Sequence, residues 1–87
     1  MTPRHATLIK LATSDGLVRM KDGVLLGKGY VVDVDSRRVV RMRHVSGVFH
    51  HKEIDYQPPV ELLNPLRDRE IRRWLPTELL RIEEAAS

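Results

Sequence analysis

The stretch YVVDVDSRRVVRMRHVSGVFHHKEID, Tyr30–Asp55, carries the densest β-branched and aromatic content of the chain. Two short polar breaks, Asp35-Ser36-Arg37 and Ser46-Gly47, divide it into three strands. A three-residue connection at the first break places Val34 opposite Arg38, Val32 opposite Val40 and Tyr30 opposite Met42. Tyr30, Val32, Val40 and Met42 then share one face, whereas a two-residue turn would bring Asp33 onto it. Ser46-Gly47 suits a two-residue hairpin with Val45 opposite Val48. Counting back pairs His44 with Phe49, Arg43 with His50, Met42 with His51, Arg41 with Lys52 and Val39 with Ile54. One face collects Val40, Met42, Phe49, His44 and His51 and is expected to pack inward. The other collects Arg41, Arg43, His50 and Lys52 and is expected to meet water or an anion.

Upstream of this core, Leu8–Ala12 and Leu17–Met20 read as short strands separated by the turn Ser14-Asp15-Gly16. Lys21-Asp22-Gly23 is a hairpin signal before Val24-Leu25-Leu26. Gly27-Lys28-Gly29 lacks both the continuation and the following helical pattern of a phosphate loop, and reads as a turn or bulge beside a strand. Residues 1–7 form a loose terminus. Downstream, Pro58, Pro59 and Pro65 exclude a regular strand or a long helix across residues 56–66, leaving an extended connection with one short turn at Val60–Leu63. After Arg67 both helical and alternating spacings fit, Pro76 ends whichever forms, and residues 83–87 are a frayed tail.

The segment Trp74-Leu75-Pro76-Thr77-Glu78-Leu79-Leu80-Arg81-Ile82 resembles the end of SH3-like small β-barrels. In that family an aromatic or aliphatic residue and a proline precede a single 3₁₀ turn, and a last strand closes the barrel. The resemblance implies a turn at Thr77–Leu79 and a closing strand holding Leu80 and Ile82. The family's acidic loop motif and the paired aromatics of its peptide groove are missing, which argues against polyproline-peptide binding. The expected fold is therefore mainly β, an SH3-like small barrel or strongly bent antiparallel sheet over residues 8–82, with at most one or two short helical segments near the C-terminus.

With 87 residues there is room for a single domain. The chain holds no cysteine, no signal-peptide pattern at its start and no apolar run long enough to cross a membrane, and so reads as a cytoplasmic protein with no membrane partner. Its formal net charge is +3, and the excess sits in one place: residues 36–56 alone carry a net +3, against +1 before them and −1 after them. That concentration names Arg37, Arg41, Arg43, His50 and Lys52 as candidates for contact with nucleic-acid phosphates, the arginines through forked contacts and the lysine as a point charge. Little aromatic interleaving accompanies them, so recognition of the backbone is expected rather than base stacking.

The competing expectation is a protein-interaction or assembly module, such as a small bacterial or phage regulator, that uses the Tyr56–Leu80 segment. Tyr56, Trp74, Leu75 and Leu79 are its candidate interface residues, and a homodimer is one form it can take. His44, His51 and Glu53 fall near one another in the hairpin register, yet without cysteine or paired-histidine spacing they do not make a metal site. Ser36 and Ser46 sit in turns with no histidine and carboxylate placed around them, so neither an enzyme nor a cofactor is expected.

Overall fold

A computed structural model describes residues 16–87, apart from the side chains of His44 and Phe49. The loose terminus and the strand expected over 1–12 lie outside the described residues. Five strands, β1 (Val18–Arg19), β2 (Gly23–Gly27), β3 (Tyr30–Asp33), β4 (Val39–Val45) and β5 (Val48–Ile54), form an antiparallel meander in the order β1-β2-β3-β4-β5. Two 3₁₀ turns, Val60–Leu63 and Pro65–Arg67, then lead into α1 (Asp68–Ala86). The architecture is strand-rich with a C-terminal helix. Of the two expected forms, small barrel or bent antiparallel sheet, the barrel is not closed among the described residues, because each described strand pairs only with its sequence neighbours and β1 and β5 end the described sheet as its two edges.

The turns explain the register. Ser46 and Gly47 both hold positive φ, 52° and 79°, as a tight two-residue hairpin demands, and the β4–β5 register is the one read from the sequence. The β3–β4 register is not. Asp33, rather than Val34, closes that turn. Its carbonyl accepts from the Arg37 N–H at 2.8 Å, its carboxylate accepts from the Ser36 N–H at 2.9 Å, and its own N–H donates to the Arg38 carbonyl at 2.9 Å. These bonds make a four-residue loop, Val34–Arg37, and pair Tyr30 with Arg41, Val31 with Val40 and Val32 with Val39. The one-residue slip moves Val40 and Met42 to the face opposite Tyr30 and Val32.

Both faces consequently carry apolar residues. Val24, Leu26, Tyr30, Val32, Val39 and Ile54 form the main core with Leu62 and with Ile71, Leu75, Leu79 and Ile82 of α1. On the reverse face Leu25, Val31 and Met42 form a smaller cluster flanked by Val18, Met20 and Val40. Two glycines are fixed by close packing. A Cβ on Gly23 would meet Val31 Cγ1 at 2.9 Å, and one on Gly29, at φ +82°, would meet the Met42 carbonyl oxygen at 2.8 Å.

Downstream of Arg67 the sequence left helix and strand open, and the structure forms one helix. It runs through Pro76, replaces the closing strand expected at Leu80–Ile82 and takes in most of the tail expected to fray. Ile71, Leu75, Glu78, Leu79 and Ile82 are its buried residues, an i, i+4, i+7, i+8, i+11 stripe that only a helix can turn to one side. Pro76 is tolerated on the exposed side, although the Arg72 carbonyl goes without its usual helical donor. Asp68 and Glu70 in the first turn suit the positive end of the helix dipole.

Candidate functional site: the basic hairpin

Alternation along β4 and β5 puts Val39, Arg41 and Arg43 on the same side as Ile54, Lys52 and His50. This is the side that α1 covers. Val39 and Ile54 lie under the helix, and the helix stops level with Arg41: Ala86, Ser87 and Glu83 line a groove of about 340 Å³ together with Lys28, Tyr30 and Arg41. Beyond that point the hairpin continues uncovered, with Arg43, His50 and Lys52 exposed. The cationic row is thus the outward continuation of the core face, rather than a separate wet face as the sequence suggested.

Arg41 packs its guanidinium over the Tyr30 ring, 5.6 Å from the ring centroid, which holds the side chain in place without neutralising it. The other rungs are set by the register, Arg41 opposite Lys52 and Arg43 opposite His50. Of the other ten described arginines and lysines, five have carboxylate partners. Arg19 pairs with Asp68 at 2.7 Å, Lys28 with Glu83 at 3.1 Å, Arg38 with Glu53 at 2.9 Å, Arg67 with Glu70 at 2.9 Å and Arg81 with Glu78 at 3.5 Å. No such pair neutralises Arg41, Arg43 or Lys52 among the described residues. Arg37 does not belong with them. It sits in the β3–β4 turn at φ 61°, at the far end of β4 and about 20 Å along the strand from Arg43.

The residues proposed for a protein interface are divided by the fold. Leu75 and Leu79 are buried in the main core, and Tyr56 and Trp74 pack partly buried against it. The Tyr56 hydroxyl donates to Glu78, a carboxylate only 2% exposed that also faces Arg81. Burial pushes the Tyr56 hydroxyl up to about 12, and the hydrogen bond and negative charge of Glu78 add to the effect. Leu80 is the apolar residue that α1 turns outward, at 58% exposure, beside a groove of about 460 Å³ that it lines with Pro76, Leu79, Leu26 and Lys28.

Lys28 was not among the residues singled out from the sequence, where Leu80 was read as part of the closing strand and of the apolar C-terminal segment. For Lys28 the signal was the Gly27-Lys28-Gly29 turn, which lifts a cation between β2 and β3 next to the partner strand of Arg41. For Leu80 it was the helical stripe, on which position 80 falls outside the buried set. Among the described residues no group of three or more histidines and carboxylates is placed to hold a metal ion, and Glu53 is engaged by Arg38. Among the same residues no helix is long and apolar enough to cross a membrane. Comparison of the chain with protein-family models, curated proteins and solved structures found no match.

Proposed function

We propose that this protein is a non-catalytic binding module that contacts nucleic-acid backbone through the β4–β5 hairpin. The observation that carries the reading is the row Arg41, Arg43, His50 and Lys52 on one side of a single hairpin, with its arginines and lysine lacking carboxylate partners among the described residues. Like charges directly across a strand pair disfavour each other by about 0.2–1 kcal/mol, so an unneutralised row gains most from an anion laid over it. Successive rungs on one strand are spaced by about 6.7 Å, two residues of extended chain, which suits consecutive charges of a polyanion. No phenylalanine, tyrosine or tryptophan is exposed on the described part of this face, which favours phosphate contact over stacking.

The test is a salt titration of binding to mixed-sequence duplex and single-stranded nucleic acid, comparing wild type with the double variant Arg41→Ala/Arg43→Ala. Expected is affinity that falls steeply with salt, and a slope in log K against log salt that drops by about 1.4–1.8 in the variant, roughly 0.7–0.9 for each phosphate no longer neutralised. Melting of the variant close to wild type keeps the comparison clean. No binding at low salt retires the reading.

One observation favours a second reading. The exposed Leu80 and its apolar groove would suit a protein-interaction or assembly module, including a homodimer formed through the outer side of α1. Sedimentation of wild type against Leu80→Glu separates the two, since a self-associating protein would become monomeric in the variant while phosphate binding would continue.

A further inference from the structure

The charges on the outer side of α1 run against its dipole. A helix favours acids at its start and bases at its end. The first-turn acids of α1, Asp68 and Glu70, are already taken up by Arg19 and Arg67. That leaves Arg69, Arg72 and Arg73 in the first half of the helix, all exposed and without a carboxylate partner among the described residues, although Arg72 donates to the Leu17 carbonyl at 3.0 Å. The last turn holds no basic residue and carries Glu83 and Glu84 instead. Glu83 meets Lys28 at 3.1 Å, and Glu84 is exposed and meets no cation among the described residues. Between the two charged ends, Pro76 and Leu80 stand exposed one turn apart on the lip of the apolar groove of about 460 Å³. At 3.6 residues per turn Arg69, Arg73, Pro76, Leu80 and Glu84 fall on one side of α1, turned away from its buried stripe.

We propose that α1 pairs with α1 of a second copy of the chain, antiparallel about a two-fold axis level with Glu78. The inference rests on the assembly reading of α1 and adds to it the partner, the orientation and the residues that meet. The outer side reads cationic, apolar, anionic from one end to the other, a pattern complementary to itself when reversed, as a two-fold interface requires. Pro76 and Leu80 lie two residues before and two after the axis level, so Leu80 of each copy packs on the partner's Pro76 at the mouth of the groove. Arg72 and Arg73 lie six and five residues before that level, and Glu83 and Glu84 five and six after it. The arginines of each copy therefore reach the glutamates of the other. Arg73 and the partner's Glu84 share one flank of the contact, and Arg72 and the partner's Glu83 share the other. The same orientation sets the positive end of each helix dipole beside the negative end of its neighbour. A parallel pair would stack arginine on arginine and glutamate on glutamate.

The experiment is sedimentation equilibrium of the whole chain over a concentration series, at low and at high salt. It compares wild type, Arg73→Glu, Glu84→Arg, the double variant Arg73→Glu/Glu84→Arg and an equimolar mixture of the two single variants. Wild type is expected to dimerise, and less tightly at high salt. Each single variant sets like charges together at both symmetry-related places and is expected to dimerise about tenfold more weakly. The double variant exchanges the two ends and is expected to recover wild-type association, and so is the mixture, in which each single variant complements the other. Both substitutions move charge in the direction the helix dipole prefers, so helix content by circular dichroism is expected to stay at the wild-type level. Single variants that dimerise as tightly as wild type overturn this pairing and leave the assembly reading standing. Failure of the double variant or of the mixture to recover overturns the pairing in the same way. Wild type that stays monomeric at low salt overturns the assembly reading and the pairing with it.

Discussion

Glu78 is a carboxylate in the buried stripe of a helix, where an unpaired charge would be costly. The Tyr56 hydroxyl meets it from the connection after β5, and Arg81 approaches its other oxygen from one turn along the helix at 3.5 Å. Replacing Tyr56 with phenylalanine leaves that carboxylate short of a donor, and a hydrogen bond to a charged group of this kind is worth about 1.5–3 kcal/mol. The same pair fixes a pH dependence. Tyr56 is raised to about 12 in the folded chain from an ordinary 10, so the fold holds this proton more tightly than the unfolded chain does. Its contribution is complete below pH 10 and is lost as the pH rises towards 12. Urea unfolding of wild type and Tyr56→Phe across that window should show the gap between them narrowing as pH rises. A constant gap would mean that the hydroxyl does not titrate against Glu78. Asp33 behaves in the opposite sense at the acid end. The Ser36 backbone N–H, and then the Ser36 hydroxyl, hold its carboxyl below the ordinary range, so the turn it closes weakens as pH falls through that lowered value.

At the scale of elements, α1 is built against a local preference. Pro76 in its interior removes one backbone hydrogen bond and crowds the preceding turn, which costs about 3 kcal/mol in a regular helix. Pro76→Ala relieves that cost and gives back about 0.4–1 kcal/mol in unfolded-chain entropy, for an expected net gain of about 2 kcal/mol in urea unfolding. A decrease in stability instead would show that the proline is what seats Ile71 and Ile82 on the sheet together. The proline is also why the helix was not legible in advance. Read locally, Leu75-Pro76 is a stop signal, and only burial of Ile71, Leu75, Leu79 and Ile82 against a sheet formed elsewhere in the chain overrides it. The β4–β5 hairpin was legible to the residue because Ser46-Gly47 admits one turn geometry. The β3–β4 hairpin was not, because valines line both faces there, so hydrophobic pattern alone could not separate two registers. The side-chain and carbonyl bonds of Asp33 decided between them. The basic row was legible as residues sharing a face, since that needs only the β4–β5 register. Its position as an extension of the covered face depends on the β3–β4 register, which the valine pattern left ambiguous.

The whole molecule depends on a sheet that serves two apolar clusters and a helix that would not persist alone. Most of a helix's stability in a protein comes from packing of its apolar face, and an internal proline makes α1 weaker still on its own. Without α1, in turn, Val24, Leu26, Tyr30, Val32, Val39 and Ile54 would be left open to water. Neither part is stable without the other, so unfolding should be a single transition. Trp74 is the only tryptophan and lies in α1, partly buried against the main core, which makes its fluorescence a reporter of helix docking alone. Far-UV circular dichroism reports strands and helix together, and the two probes should give coincident urea curves. Ile82→Ala, at a fully buried position under the helix, should move both curves by about 2–5 kcal/mol. Leu25→Ala, equally buried on the reverse face, should do the same, because β2 carries Leu25 between Val24 and Leu26 of the main core and cannot loosen on one side only. A Trp74 transition that moves in Ile82→Ala while the dichroism curve stays in place would show that α1 undocks independently. The exposed hairpin would then be carried by a sheet that folds without its helix.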